Sequence, residues 1–318
     1  MSLTVPRDRA PGPNFDPQPV PQQGAPLDAA AGVAPSLAKV TFPLLAGKKR
    51  AGTPITALTA YDYPSARLVD EAGIDLLLVG DSLGMAVLGY DSTLPVTLDE
   101  MLHHTRAVRR AVRRALLVAD MPFGTYHADE TEAVRNATRF VKEAGAEAVK
   151  IEGVRPALVR RLVDAEIPVV AHLGLMPQGL NRMGGYKVQA RTVDAAEALL
   201  ADALAMEAAG VALLVLEGVP REVAAQVRER LQVPVIGIGA GPGCDGQILV
   251  LPDILTLTFA PAAKFVRRYA DVGAVMRGAI ERYAEDVRAG SFPSDSESYH
   301  LSAAVSAGWD EAVKERER

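Results

Sequence analysis

The chain has 318 residues, 49% apolar and 23% charged, with a formal net charge of -5. Such a length and balance allow one large buried core, and the negative charge argues against nucleic acid or an anionic membrane surface as the main partner. A single cysteine, Cys244, excludes an intrachain disulfide and fits a reducing compartment. No apolar run approaches the roughly 18 residues of a membrane span, and no charged head precedes an apolar segment near Met1, so the cytoplasm is the expected location.

Residues 1–38 hold eight of the 22 prolines, among Gly, Gln and Ala. Such a stretch buries too little apolar surface to offset the entropy of ordering it and reads as a disordered tail. A body over 39–290 is expected to follow. The remainder, 291–318, ends in KERER and reads as an extension carrying a short helix docked on that body.

In the body, short apolar runs alternate with longer Ala-, Glu- and Arg-rich segments at helical spacing. Strands are predicted over 54–60, 76–81, 116–121, 148–152, 168–173, 212–217, 234–239 and 248–254. Helices are predicted near 64–72, 98–114, 130–144, 155–165, 193–209 and 221–231, with a long one over 262–289. Eight such units in one domain fit an α/β fold of the (β/α)8 TIM barrel type. A doubly wound open sheet would alternate in the same way, and LVLPDIL, the eighth strand, is the least clear. Arg106, Arg109, Arg110, Arg113 and Arg114 have helical spacing and read as a solvated helix face.

Several apolar runs stop at a polar residue: Asp81 in LLLVGDS, Asp120 in LLVADMP, Lys150 and Glu152 in AVKIEG, His172 in PVVAHLG and Glu217 in LLVLEGVP. Residues i and i+2 of a strand share a face. Lys150 and Glu152 therefore point one way and Val149 and Ile151 the other; Val118 pairs with Asp120, Val170 with His172 and Val215 with Glu217. A lone Asp at a strand end is usually a turn or cap residue, and a lone His or Lys has ordinary structural uses. Independent caps, however, have no reason to recur in this alternation at the ends of successive strands.

Buried charges need partners or a cation. The carboxylates Asp81, Asp120 and Glu152 point to a hard divalent ion such as magnesium. A cation chelated by a 2-oxo acid acidifies the neighbouring carbon and stabilises the enolate. Glu217 could take the proton, while Lys150 and His172 balance charge on the substrate oxygens. From the residues alone the reading ends at metal-assisted enolate chemistry.

The segments ALTAYDYPSA (57–66), GDSLGM (80–85), LPVTLDEMLHHTRAV (94–108), ADMPFGTY (119–126), VKIEG (149–153), AHLGLMPQ (171–178), GGYKVQAR (184–191) and IGIGAGPGCDGQILV (236–250) resemble the ketopantoate hydroxymethyltransferase family. The likeness runs without gaps from about Lys39 to Tyr269. It implies a barrel of the phosphoenolpyruvate/pyruvate type. The implied activity transfers a hydroxymethyl group from 5,10-methylenetetrahydrofolate to 3-methyl-2-oxobutanoate, giving 2-dehydropantoate on the way to pantothenate and coenzyme A. Carried over by motif, Asp81, Asp120 and Glu152 match positions that hold magnesium, directly or through water. Ser82 and Lys150, with Asp81 and Asp120 beside them, match contacts to the oxo acid. His172 lies in the same shell, and Glu217 matches the proposed base. The resemblance also implies a homo-oligomer, often a decamer. Val154 and Ala190 stand where the family pattern has glycine, and Gly218 where it often has a small residue or Cys.

Two other readings stand beside this one. A related metal-dependent carbon–carbon lyase or mutase should carry a KKCGH-like loop, which the sequence lacks. A non-catalytic binding barrel should show erosion among the polar strand ends, and none is missing.

Overall fold

The computed structural model describes residues 38–259 and 261–316. The tail expected over 1–38 therefore lies, apart from Ala38, outside the described residues. Eight strands are present: β1 (Ile55–Thr59), β2 (Leu76–Val79), β3 (Leu116–Asp120), β4 (Ala148–Glu152), β5 (Val169–Gly174), β6 (Leu213–Glu217), β7 (Val235–Ile238) and β8 (Gly246–Leu249). Each pairs in parallel with the next, and β8 pairs with β1. That closure settles the choice between barrel and open sheet in favour of the (β/α)8 barrel.

Helix α1 (Phe42–Arg50) precedes the first strand. Helices α2 (Tyr63–Glu71), α3 (Leu83–Ala86), α4 (Leu98–Ala111), α5 (Glu130–Ala144), α6 (Pro156–Asp164), α7 (Leu180–Met183), α8 (Val193–Ala208) and α9 (Arg221–Arg230) lie between the strands. After the last strand come α10 (Leu251–Ile254), α11 (Val272–Ala289) and α12 (Ala303–Arg316). Local chemistry sets several starts: the side chains of Asp62, Thr97, Asp129 and Thr192 accept backbone N–H groups at the beginnings of α2, α4, α5 and α8. Thr97 and Glu100 complete a capping box, which satisfies donors that the first helical turn leaves free.

Strand alternation divides the core in two. Inside the barrel lie Ile55, Ala57, Leu76, Leu78, Leu116, Val118, Ala148, Val170, Leu213, Val215, Ile236 and Ile248. Their neighbours, among them Leu77, Leu117, Val149, Ile151, Ala171 and Leu214, pack outward in the larger helix-covered core. Val40 and Leu45 belong to the interior cluster, so the segment entering α1 stoppers the amino-terminal end of the barrel. Lys48 and Lys49 fasten α1 there, through Asp75 at 2.6 Å and Asp245 at 2.7 Å.

Four expectations need correction. The eighth strand ends at Leu249, because Pro252 and its neighbours form the helical turn α10. The long helix begins at Val272, where the Asp271 side chain caps it, ten residues later than its spacing predicts. Helix α12 forms but buries none of its described residues, so it is not docked as expected. Nor is the arginine stripe simply solvated: Arg106 and Arg109 pair with Glu143 and Glu147, and Arg114 reaches Asp75 and the carbonyls of Gly73 and Ile74.

Candidate active site

At the carboxyl end of the barrel the inward faces change from apolar to ionic. Asp120 registers with Lys150, and Glu152 with His172. Asp81, Asp120, Lys150, Glu152 and His172 are each no more than 5% exposed. Glu217, at the end of β6, is more open, with 15% of its side chain exposed. The strand-end residues named in the sequence therefore converge, as a barrel requires.

Lys150 Nζ lies 3.1 Å from Asp120 Oδ1, 3.3 Å from His172 Nδ1 and 4.0 Å from Glu152 Oε1. His172 spans two carboxylates: Nδ1 is 3.2 Å from Glu152 Oε1, and Nε2 is 3.3 Å from Glu217 Oε2. The Asp81 amide donates to Asp120 Oδ2 at 3.0 Å. Ser82 Oγ sits 2.8 Å from the hydroxyl of buried Tyr61.

Burial raises the Asp81 carboxyl well above its ordinary range, and repulsion from Asp120 and Glu152 adds to the rise. Asp120 is raised as well, chiefly by burial, against the attraction of Lys150. Burial alone would also raise Glu152, but the hydrogen bond and charge of His172, with Lys150, hold it below the usual range. For Lys150, burial disfavours the ammonium, and the charges of Asp120, Glu152 and Asp81 outweigh it, so the group stays cationic. Burial and Lys150 also oppose a charge on His172, yet Glu152 and Glu217 win and push it up to about 9. The cluster thus gathers a lysine and a histidine, both favoured in their cationic forms by their neighbours, among four carboxyl groups.

Three residues of this network carried no prediction. Gln178 Nε2 donates to Asp81 Oδ2 at 2.8 Å and to the Met121 carbonyl at 3.0 Å, while its amide donates to Glu152 Oε2 at 3.0 Å. Tyr126 donates its hydroxyl proton to Gln178 Oε1 and accepts the Glu152 amide at 3.0 Å. Tyr61 is the third. All lie within motifs quoted above, but a neutral polar side chain makes no break in charge pattern by which it could be singled out.

Backbone shape helps to place Glu217. Gly174, at φ 92°, lies where an added Cβ would come 2.3 Å from the Glu217 carbonyl, and that carbonyl accepts the Leu175 amide at 2.8 Å. The end of β5 can approach β6 this closely because residue 174 is glycine. Ala190, by contrast, carries a side chain at φ 53°, a conformation that favours glycine. Val154 shows no such strain.

The acids present a mixed case for a metal. Among the described residues, no group of three or more His, Cys, Asp or Glu side chains is arranged as a ready cage; both Glu152 oxygens and Asp81 Oδ2 are engaged by protein donors. Charge and donor chemistry nonetheless fit a hard cation. Asp81 and Asp120 are raised by burial, and Asp120 Oδ1 is buried without a hydrogen-bond partner, its contact with Lys150 being an unaligned ion pair.

A closed parallel barrel with acids, a lysine and an imidazole gathered at its carboxyl end has the architecture of a (β/α)8 barrel enzyme. Its backbone is similar to that of phosphonopyruvate hydrolase solved with oxalate and Mg++ (TM-score 0.53, 15% identity, covering 86% of this chain and 97% of that one). It is also similar to 2,3-dimethylmalate lyase, a member of the PEP mutase/isocitrate lyase superfamily (TM-score 0.51, 20% identity, 86% and 96%). The chain belongs to the ketopantoate hydroxymethyltransferase family, whose model matches residues 39–295. It is 64% identical to 3-methyl-2-oxobutanoate hydroxymethyltransferase of Koribacter versatilis over 265 residues, 83% of this chain and 90% of the relative. The Thermoanaerobacter sp. enzyme of the same name is 51% identical over 265 residues, 83% and 97%. The chain is accordingly an enzyme, and among its described residues no helix is long and apolar enough to cross a membrane.

Proposed function

We propose that the chain transfers a hydroxymethyl group from 5,10-methylenetetrahydrofolate to 3-methyl-2-oxobutanoate, giving 2-dehydropantoate and tetrahydrofolate for pantothenate synthesis in the cytoplasm. The observation that carries this reading is the meeting of Asp81, Asp120, Lys150, Glu152, His172 and Glu217 at one barrel end, in a chain 64% identical to a relative bearing that activity's name.

Asp81 and Asp120 would hold magnesium, with Glu152 behind them. Bound there, the cation would draw electron density from the keto group and stabilise the charge that develops as the adjacent carbon loses its proton. Glu217, the most accessible carboxylate of the cluster, takes that proton. His172, hydrogen-bonded to Glu152 and with Nε2 3.3 Å from Glu217, offers a compensating positive charge beside the base. Lys150 and Ser82 orient the oxo acid, and Lys150 offsets its carboxylate. Water first cleaves the donor's C–N bonds to the one-carbon unit, releasing tetrahydrofolate and formaldehyde; the carbon nucleophile adds to that carbonyl, whose oxygen takes the proton held by Glu217 and becomes the new hydroxyl.

Self-association fits the remaining surface. Helix α11 buries nothing and exposes Val275, Met276, Ile280, Tyr283 and Val287, while an apolar groove of ≈ 640 Å³ runs along β1 and β8. Exposed apolar surface of this kind supports a homo-oligomer; the decamer is what the family resemblance implies.

The test is a coupled assay with 3-methyl-2-oxobutanoate, methylenetetrahydrofolate and magnesium, omitting each in turn. Product should form only in the complete mixture. Full turnover without the folate or without the metal would overturn the corresponding part of the reading.

A further inference from the structure

The loops around the mouth of the site expose large apolar side chains: Met85 after β2, Phe123 after β3, Val154 after β4 and Tyr186 after β5, each between 39% and 49% exposed. One part of this rim is organised. The rings of Tyr126 and His127 lie 4.1 Å apart at 37°, and those of His127 and Phe123 4.9 Å apart at 55°. The Arg155 guanidinium sits over the Tyr126 ring at 5.3 Å.

An aromatic cluster that only packed a loop would bury its outermost ring and use its cation in a pair. Here Phe123 is 45% exposed, and Arg155 Nε is buried with no hydrogen-bond partner. Tyr126 joins this stack to the catalytic cluster, since its hydroxyl meets both Gln178 and the Glu152 amide. A ligand resting on Phe123 and His127 would therefore lie one tyrosine ring from the acids.

We propose that Phe123, His127 and Arg155 form the subsite for the planar ring system of the one-carbon donor. The ring system stacks on the exposed Phe123 face with the half-buried His127 ring tilted beside it, and the guanidinium donates to a carbonyl or carboxylate oxygen of the same ligand. This inference rests on the reading above that the donor is a reduced folate. Phe123 supplies apolar contact area, His127 sets its tilt, and Arg155 discriminates in favour of a ligand that carries an acceptor oxygen.

The experiment is calorimetric binding of tetrahydrofolate to the full chain, with thermal melts to check that each variant is folded. Removing a stacked ring or a charge-assisted hydrogen bond should weaken binding roughly fivefold or more, so Phe123→Ala and Arg155→Met should each show that loss. Phe123→Tyr, which keeps the ring, should restore affinity. Should Phe123→Ala melt early, Phe123→Leu keeps the bulk without the ring and is expected to lose affinity as well. Equal affinities for wild type and all folded variants would overturn the subsite alone. A wild type that exchanges the oxo-acid C3 proton in folate-free deuterated water yet binds no tetrahydrofolate would overturn the donor reading first, and the subsite with it.

Discussion

Replacing Gln178 by Leu removes a buried clasp while nearly conserving volume. The side chain donates to Asp81 Oδ2 and the Met121 carbonyl and accepts from Tyr126; Gln178 is 6% exposed, so water cannot readily take its place. A hydrogen bond to a charged group contributes about 1.5–3 kcal/mol, and each buried polar group left unpaired costs about 1–3 kcal/mol. Because the three bonds share one side chain and partly relax together, the expected loss is about 3–5 kcal/mol. At about 2–4 °C per kcal/mol for a domain of this size, Tm should fall by about 6–20 °C in a calorimetric scan without divalent cations. The substitution also leaves Asp81 Oδ2 without its donor, beside an acid already raised by burial. Millimolar magnesium should therefore recover more stability in Gln178→Leu than in the wild type. A drop in Tm below about 2 °C, or equal responses to magnesium, would refute the view that Gln178 holds the acids in place.

Other perturbations probe separate parts of the molecule. Asp120→Ala removes an acid facing Lys150 and should shift the magnesium titration of activity upward by roughly tenfold or more; an unchanged midpoint would count against Asp120 as a ligand. At the barrel floor, burial would raise Asp75, but Lys48, the Thr56 amide and Arg114 hold it below the usual carboxylate range. The depressed value in the folded state means that its contribution is complete above its unfolded pKa and is lost as pH falls through the folded one. Asp75→Asn should therefore lower Tm at neutral pH and flatten its acid-side decline, whereas parallel Tm curves would contradict this. Burial and nearby Asp245 push the Cys244 thiol up to about 11, so iodoacetamide at pH 8 should modify the native chain far more slowly than the denatured one, as read by mass spectrometry.

How much of this was legible in the sequence depends on the kind of signal. Charged residues closing apolar strands break a two-residue alternation. Parity alone thus assigned Asp120, Lys150, Glu152, His172 and Glu217 to the inner face, where their register and burial now place them. The eighth strand was misjudged because LVLPDIL is apolar on both sides of a proline turn, and periodicity does not show where such a run changes from strand to helix. Helix α1 escaped notice for the opposite reason. FPLLAGKKR buries only Leu45, so it has no apolar stripe to read. Gln178, Tyr61 and Tyr126 needed coordinates, because their role lies in hydrogen-bond partners up to 97 positions away in the chain.

The glycine departures separate in the same way. Of Val154 and Ala190, the two positions where the family resemblance implies glycine, only Ala190 occupies the left-handed region, where a side chain has a conformational cost. Its neighbour Gln189 donates its amide to the Gly218 carbonyl at 2.9 Å. The strained residue thus sits where this loop is anchored beside the end of β6.

Proton exchange at C3 of 3-methyl-2-oxobutanoate in deuterated water, followed by NMR with magnesium and no folate, isolates the proposed first chemical step. Wild-type protein should catalyse exchange. Glu217→Gln should slow it by about a hundredfold or more, the usual contribution of a general base, while still binding the oxo acid. Undiminished exchange in that variant would remove Glu217 from the chemistry and contradict the role assigned to the cluster around it.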